Sequence, residues 1–272
     1  MKTRIIVAVV GVPVLLAVLL LAPVWVLGVM VGGIAAGAAW ELLRCAGGEV
    51  KPRMLCVTAV CAYAIPMFAS LFDPGRVYAV VLFVLFAYVM CELMASFREE
   101  KTMALATVTL AFMAGGIMPV LLSSIVKLGL HDNGRVYVLL PFVAAFLSDS
   151  GAYFIGIFFG KHKLTPRLSP NKTIEGSIGG FVCAIAAMLI YGAVLKAMDY
   201  EVSLAVMGVY GFLGSLACQL GDLSFSAVKR ICGVKDYGNL IPGHGGMLDR
   251  FDSMFWTAAM IELLVSWVPA IA

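Results

Sequence analysis

The sequence predicts an all-α, polytopic membrane protein, and three observations carry that prediction. Mean hydropathy is +1.01, only 13% of the residues are charged, and apolar runs of bilayer-spanning length recur along the whole 272-residue chain. A helix needs about 20 apolar residues to cross about 30 Å of hydrocarbon. A soluble domain carries about twice this share of charge.

About nine spans follow in order. The first, 5–21, comes after Lys2 and Arg4 and resembles the start of a signal sequence, but the apolar character resumes directly after Pro23, so it is taken as a retained helix. The second, 24–43, contains the small-residue run "GVMVGGIAAGAA" and closes at Arg44. The third and fourth, 54–72 and 77–94, are divided by "FDPGRV", whose Asp, Pro and Gly are turn residues. The fifth, 103–126, is separated from the sixth, 136–159, by a second turn-forming segment, "KLGLHDNGRV". The seventh and eighth are 178–197 and 202–220, and the ninth is 254–271. Pro13, Pro66 and Pro119 fall inside spans and predict kinks there.

Charge placement sets the orientation. With nine spans and the amino terminus cytoplasmic, fifteen of the 19 Lys and Arg residues lie in inner segments and four, Arg76, Lys127, Arg135 and Lys196, lie outside. The positive-inside rule therefore puts the carboxyl terminus outside and turns loops 160–177 and 221–253 to the cytoplasm. The chain divides into amino-terminal helices over 1–135 and a carboxyl-terminal region over 136–272 that carries both loops. A net charge of +3 without a basic-aromatic tract gives no reason to expect nucleic acid. The seven cysteines are scattered without CxxC spacing and read as reduced packing residues.

Most of the chemistry sits in those two loops and the span ends beside them. The first reads "GKHKLTPRLSPNKTIEGS". Membrane anchoring accounts for Lys161, His162, Lys163 and Arg167 as well as ligand binding would, whereas Lys172 and Glu175, three apart, share a face of a helix start and are not required by topology. The second, "QLGDLSFSAVKRICGVKDYGNLIPGHGGMLDRFD", is denser. Asp249 and Asp252 are at i and i+3 on the ninth helix, and Asp222 stands where the eighth ends, so three acids at cytoplasmic helix ends are expected to converge. Mg²⁺ takes one or two carboxylates and completes its shell with substrate phosphates and water. The interleaved Lys229, Arg230, Lys235 and Arg250 supply charge for phosphates. Gly243, Gly245 and Gly246 flank His244 and let the backbone bend and turn its N–H groups toward an anion, although HGG by itself is a weak signal.

The run Ser226, Lys229, Arg230, Lys235, Asp236, His244, Gly245, Gly246, Asp249, Arg250, Asp252 resembles the signature of the phosphatidate cytidylyltransferases, the CDP-diacylglycerol synthases: S-x-x-K-R, four residues, K-D, then HGG-x-x-DR-x-D. "DSGAYFIG", "SPNKTIEG" and "QLGDLSFS" are similar to that family's other motifs. The resemblance implies that CTP and phosphatidate give CDP-diacylglycerol and pyrophosphate by direct attack of the lipid phosphate on the CTP α-phosphorus. It implies Mg²⁺, with room for a second metal ion. Asp222 and Asp249 then hold the metal with Asp252 close by, and Lys172, Lys229, Arg230 and Lys235 neutralise phosphates. His244 touches phosphate or moves a proton, while Ser226, Asp236 and Arg250 come with the motif without a separate role.

Asp149 is about ten residues, roughly 15 Å, from the inner end of the sixth span. An ionisable group at that depth marks a polar cavity, and "SDSGAY" predicts one that opens to the cytoplasm and includes Glu175. Glu262, on the ninth span, either lines the same cavity or bonds between helices. Glu41 and Glu92 are expected at the interface. Two rival readings are a transporter, whose polar groups would line a path through the membrane rather than gather at one face, and a CDP-alcohol phosphotransferase, whose D-G-x-x-A-R pattern the chain does not contain. The small-residue run also permits a homodimer, and the compact chain suggests a bacterial inner membrane.

Overall fold

The computed structural model describes residues 2–45, 50–99, 102–240 and 245–271, with the side chains of 2–10 and 12 outside that description. It is overwhelmingly helical. In order the elements are α1 (Lys2–Leu21), α2 (Val24–Cys45), α3 (Pro52–Ala69), α4 (Pro74–Ser96), α5 (Leu105–Phe112), a π-helical turn (Met113–Ile117), α6 (Met118–Leu122), α7 (Ser124–Gly129), α8 (Gly134–Tyr137), α9 (Leu140–Phe159), β1 (Lys163–Thr165), β2 (Ser169–Thr173), α10 (Ile174–Ala197), α11 (Leu204–Ile231) and α12 (Leu248–Trp267).

Among the described residues, seven helical stretches are long and apolar enough to cross a membrane. The chain is thus an all-α polytopic membrane protein. α12 is helical over 20 residues but outside the seven, because Asp249, Arg250, Asp252 and Glu262 lie on it. The expected kink at Pro119 takes the form of a π turn over Met113–Ile117 just before it. Proline has no N–H to donate into the preceding turn, and a one-residue change of register accommodates that loss.

The chain forms two compact units. The first comprises Met1–Leu130 with Ile231–Phe251. There α2 packs closely on α3 because Gly28 and Gly32 leave no side chain between the backbones; a Cβ at Gly32 would lie 2.8 Å from the Tyr63 carbonyl oxygen. Ion pairs join the start of α3 to the end of α4: Arg53 Nε lies 2.7 Å from Glu92 and Lys51 Nζ 2.5 Å from Glu99. Glu92 is buried, and Arg53 and Lys51 compensate its charge.

The second unit comprises His131–Arg230 with Asp252–Ala272. α9 and α10 lie in close contact through Gly151, Gly176 and Gly179; a Cβ at Gly179 would meet Ile155 at 2.5 Å. α11 lies against α12, with Phe225 and Phe255 ring centroids 5.6 Å apart. Where the sequence predicts only a loop, β1 and β2 pair antiparallel with Lys163 opposite Thr173 and Thr165 opposite Ser169. The hairpin leads directly into α10, whose first turn is capped by Thr173, its hydroxyl accepting from Gly176 N–H at 3.1 Å. α11 runs 28 residues, eleven beyond its apolar stretch, and is about 42 Å long. Asp222, Ser226, Lys229 and Arg230 therefore stand on a helix rather than in a loop. All seven cysteines are free.

Candidate functional site

The predicted site residues fall into two groups, one in each unit. In the second unit α9, α10, α11 and the hairpin enclose a cavity of about 520 Å³ lined by Asp149, Tyr153, Lys172, Ser177, Gln219 and Asp222, among others. Lys172 comes from β2 and Asp222 from the polar extension of α11. Their charged groups meet, Lys172 Nζ lying 2.5 Å from Asp222 Oδ2. Ser226, one turn further along α11, donates to Asp222 Oδ1 at 3.3 Å. The spacing of i to i+4 is what brings the hydroxyl over the carboxylate.

Deeper in the cavity, Asp149 Oδ1 accepts from Cys218 Sγ at 3.4 Å. Beside it runs a polar chain that the sequence reading did not assign. Ser148 and Ser215 hydroxyls are 2.7 Å apart, Gln219 Nε2 donates to Ser215 Oγ and to the Ser177 carbonyl at 3.2 Å each, and Ser177 Oγ donates to Gln219 Oε1. Gln219 is the hub that links α10 to α11. Its signals in the sequence are its place at the head of "QLGDLSFS" and a glutamine following an apolar run, where a polar group must find a partner.

Asp252, on the same unit, is 9% exposed. It lies outside the seven spans, and Ser253 N–H donates to its Oδ1 at 2.7 Å. Burial, followed by the negative charge of Asp222, pushes its carboxyl up to about 7, against the opposing pull of Lys229. Arg230 Nε donates to the Leu168 carbonyl at 3.3 Å and so ties α11 to the hairpin. Glu175 is not among the residues lining the cavity. It accepts from the Lys161 and His162 main-chain N–H groups, and its Oε1 lies 2.6 Å from the His162 ring. Glu262 accepts from Ser266 one turn along α12 at 3.0 Å and is likewise not among the cavity's lining residues.

The first unit holds the other group. Lys235 and Asp236 are exposed in the turn that follows α11. His244 and Gly243 lie outside the described residues. Gly245 has φ +89, a conformation that a side chain strains. Asp249, in the first turn of α12, accepts on Oδ2 from Tyr237 N–H at 2.8 Å and from Gly246 N–H at 3.1 Å. Arg250 beside it is exposed. Glu41, expected at the interface, is 3% exposed and accepts from Met247 N–H at 2.9 Å and Leu248 N–H at 2.8 Å.

Among the described residues, no three His, Cys, Asp or Glu side chains gather into a metal-binding group. Mg²⁺ does not require one, because it uses one or two carboxylates and takes its remaining ligands from water and phosphate. Asp222 fits that chemistry. Its hard carboxylate is part-exposed and faces a cavity beside an ammonium suited to phosphate.

These features define a class: a helical membrane protein with a cavity whose charged groups suit a phosphate-bearing ligand. Comparison with known proteins makes it specific. The model of the cytidylyltransferase family matches residues 2–268, and the chain belongs to that family. It is 41% identical over 135 residues to the phosphatidate cytidylyltransferase of Staphylococcus saprophyticus, covering 50% of this chain and 51% of that protein. The corresponding identity to the protein of Staphylococcus aureus strain COL is 44% over 135 residues, again 50% of this chain and 51% of that one. The matched region thus spans about half the length of these curated relatives.

Proposed function

We propose that this protein is an integral-membrane nucleotidyltransferase that makes CDP-diacylglycerol and pyrophosphate from CTP and phosphatidate. The observation that carries the reading is the Lys172–Asp222 pair on the wall of a cavity set among membrane helices. A reaction between a water-soluble nucleotide and a lipid needs charge stabilisation at such a place. The name shared by the relatives supports the same substrates.

In this reaction a phosphate oxygen of phosphatidate attacks the α-phosphorus of CTP. A new P–O bond forms, the bond from that phosphorus to the oxygen bridging to the β-phosphorus breaks, and pyrophosphate leaves with the electron pair. No covalent enzyme intermediate is required, and catalysis consists of alignment and neutralisation of charge. Lys172 exchanges Asp222 for an incoming phosphate, and Lys229, Arg230 and Lys235 add positive charge. On the strength of the motif, Asp222 and Asp249 are the carboxylates that would hold Mg²⁺. When bound, Mg²⁺ neutralises phosphate oxygens and polarises the reacting phosphorus.

Nine spans, a cytoplasmic amino terminus and an external carboxyl terminus complete the reading, on the basis of the distribution of Lys and Arg. The site then faces the cytoplasm, where CTP is found, and the membrane is that of a bacterial cell. The test is pyrophosphate release by the purified protein in detergent with CTP, phosphatidate and Mg²⁺, beside Asp249→Ala. Release that requires both substrates and metal and is lost in the variant supports the reading. A well-folded protein that releases none refutes it.

A further inference from the structure

We propose that Glu41 is a positioning residue that shapes the loop at 245–248 and thereby holds Asp249. Glu41 lies near the carboxyl end of α2, 206 residues from Met247. A carboxylate in a site this closed is costly unless hydrogen-bonded. Its partners are the main-chain N–H groups of Met247 and Leu248, at 2.9 and 2.8 Å. These are orphan donors at the amino end of α12, where a negative charge also meets the favourable end of the helix dipole. Glu41 thus caps a helix to which it is not covalently adjacent.

The glycines around the carboxylate point the same way. A Cβ on Gly238 would lie 2.6 Å from Glu41 Oε1, and one on Gly246 would collide with Oε2. The two glycines of "HGG" therefore meet different constraints. Gly245 has a φ of +89 that a side chain strains, whereas a side chain on Gly246 would have to displace the Glu41 carboxylate from its place against the loop. Gly246 N–H in turn donates to Asp249 Oδ2. One carboxylate fixes the path of the loop, and the loop fixes the other.

The proposal rests on the reading of Asp249 as a metal-holding carboxylate. Glu41→Gln preserves shape but turns an amide donor toward one of the two N–H groups. For the full-length protein in detergent, the expected result is a Mg²⁺ requirement raised about 10- to 100-fold, as for other residues that orient a ligand. The KM for phosphatidate should stay within about twofold of wild type. In metal-free protein, amide hydrogen exchange over 245–251 should accelerate in the variant. Glu92→Gln, which removes a buried carboxylate elsewhere in the unit, should change neither readout.

A folded Glu41→Gln protein with wild-type Mg²⁺ response or wild-type exchange overturns the proposal. If that variant does not fold, Gly238→Ala, which presses on the same carboxylate, takes its place under the same criteria. Rapid exchange of the Met247 and Leu248 amides in wild-type protein overturns the proposal directly. If wild-type protein releases no pyrophosphate, the nucleotidyltransferase reading fails, and the exchange measurement still decides the role of Glu41.

Discussion

Lys172 Nζ and Asp222 Oδ2 lie 2.5 Å apart, one on a β-strand and the other on a long helix, across the wall of a single cavity. The ammonium neutralises the carboxylate at rest and is the group best placed in that cavity to receive a phosphate. Replacing Lys172 by Met should lower kcat by at least about 100-fold, the scale for losing one preorganised charge-stabilising donor. Steady-state kinetics with CTP and phosphatidate check this, and a variant with near wild-type kcat would remove Lys172 from the site.

Asp252 gives a pH dependence. Its carboxyl is raised to about 7 in the folded protein from 3.8, so folding favours the protonated form. The stability this contributes is complete below about pH 4 and falls as pH rises toward about 7, above which it is spent. In metal-free protein, Asp252→Asn should abolish that decline. Thermal unfolding in detergent with a chelator, from pH 5 to 8, measures the slope for both proteins.

Gln219 bonds to Ser177 and Ser215. Gln219→Leu leaves these partners unsatisfied and should destabilise the protein by about 1 to 3 kcal/mol. The midpoint of denaturant unfolding, followed by helical circular dichroism, reports this loss. An unchanged midpoint would show that the polar chain contributes nothing to holding α10 on α11.

At Gly245 the strain is in the backbone. Alanine at φ +89 should cost about 1 to 3 kcal/mol, and asparagine less, because its short polar side chain tolerates positive φ. Comparing the two Tm values checks the order.

The membrane helices were legible because composition alone reports burial in hydrocarbon: uninterrupted apolar runs admit few other readings. Helix ends were not. Hydropathy falls at Leu220, yet α11 continues to Ile231 because its polar residues can stay helical once outside the apolar layer. The hairpin was hidden by its short strands and by Pro170 within β2. Motif spacing points to Asp222, Asp249 and Lys172, whereas neither the place of Gln219 at the head of "QLGDLSFS" nor the isolated Glu41 tells which groups they bond. Their partners come from other helices, and only the folded chain brings them together.

The central claim is the transfer of a cytidylyl group to lipid, and the most direct measurement follows label from the α-phosphorus of CTP. With purified protein, phosphatidate and Mg²⁺, the account predicts that α-label enters the lipid phase only when phosphatidate is present, while β-label stays in water as pyrophosphate. Folded protein that leaves all α-label in the aqueous phase would contradict it.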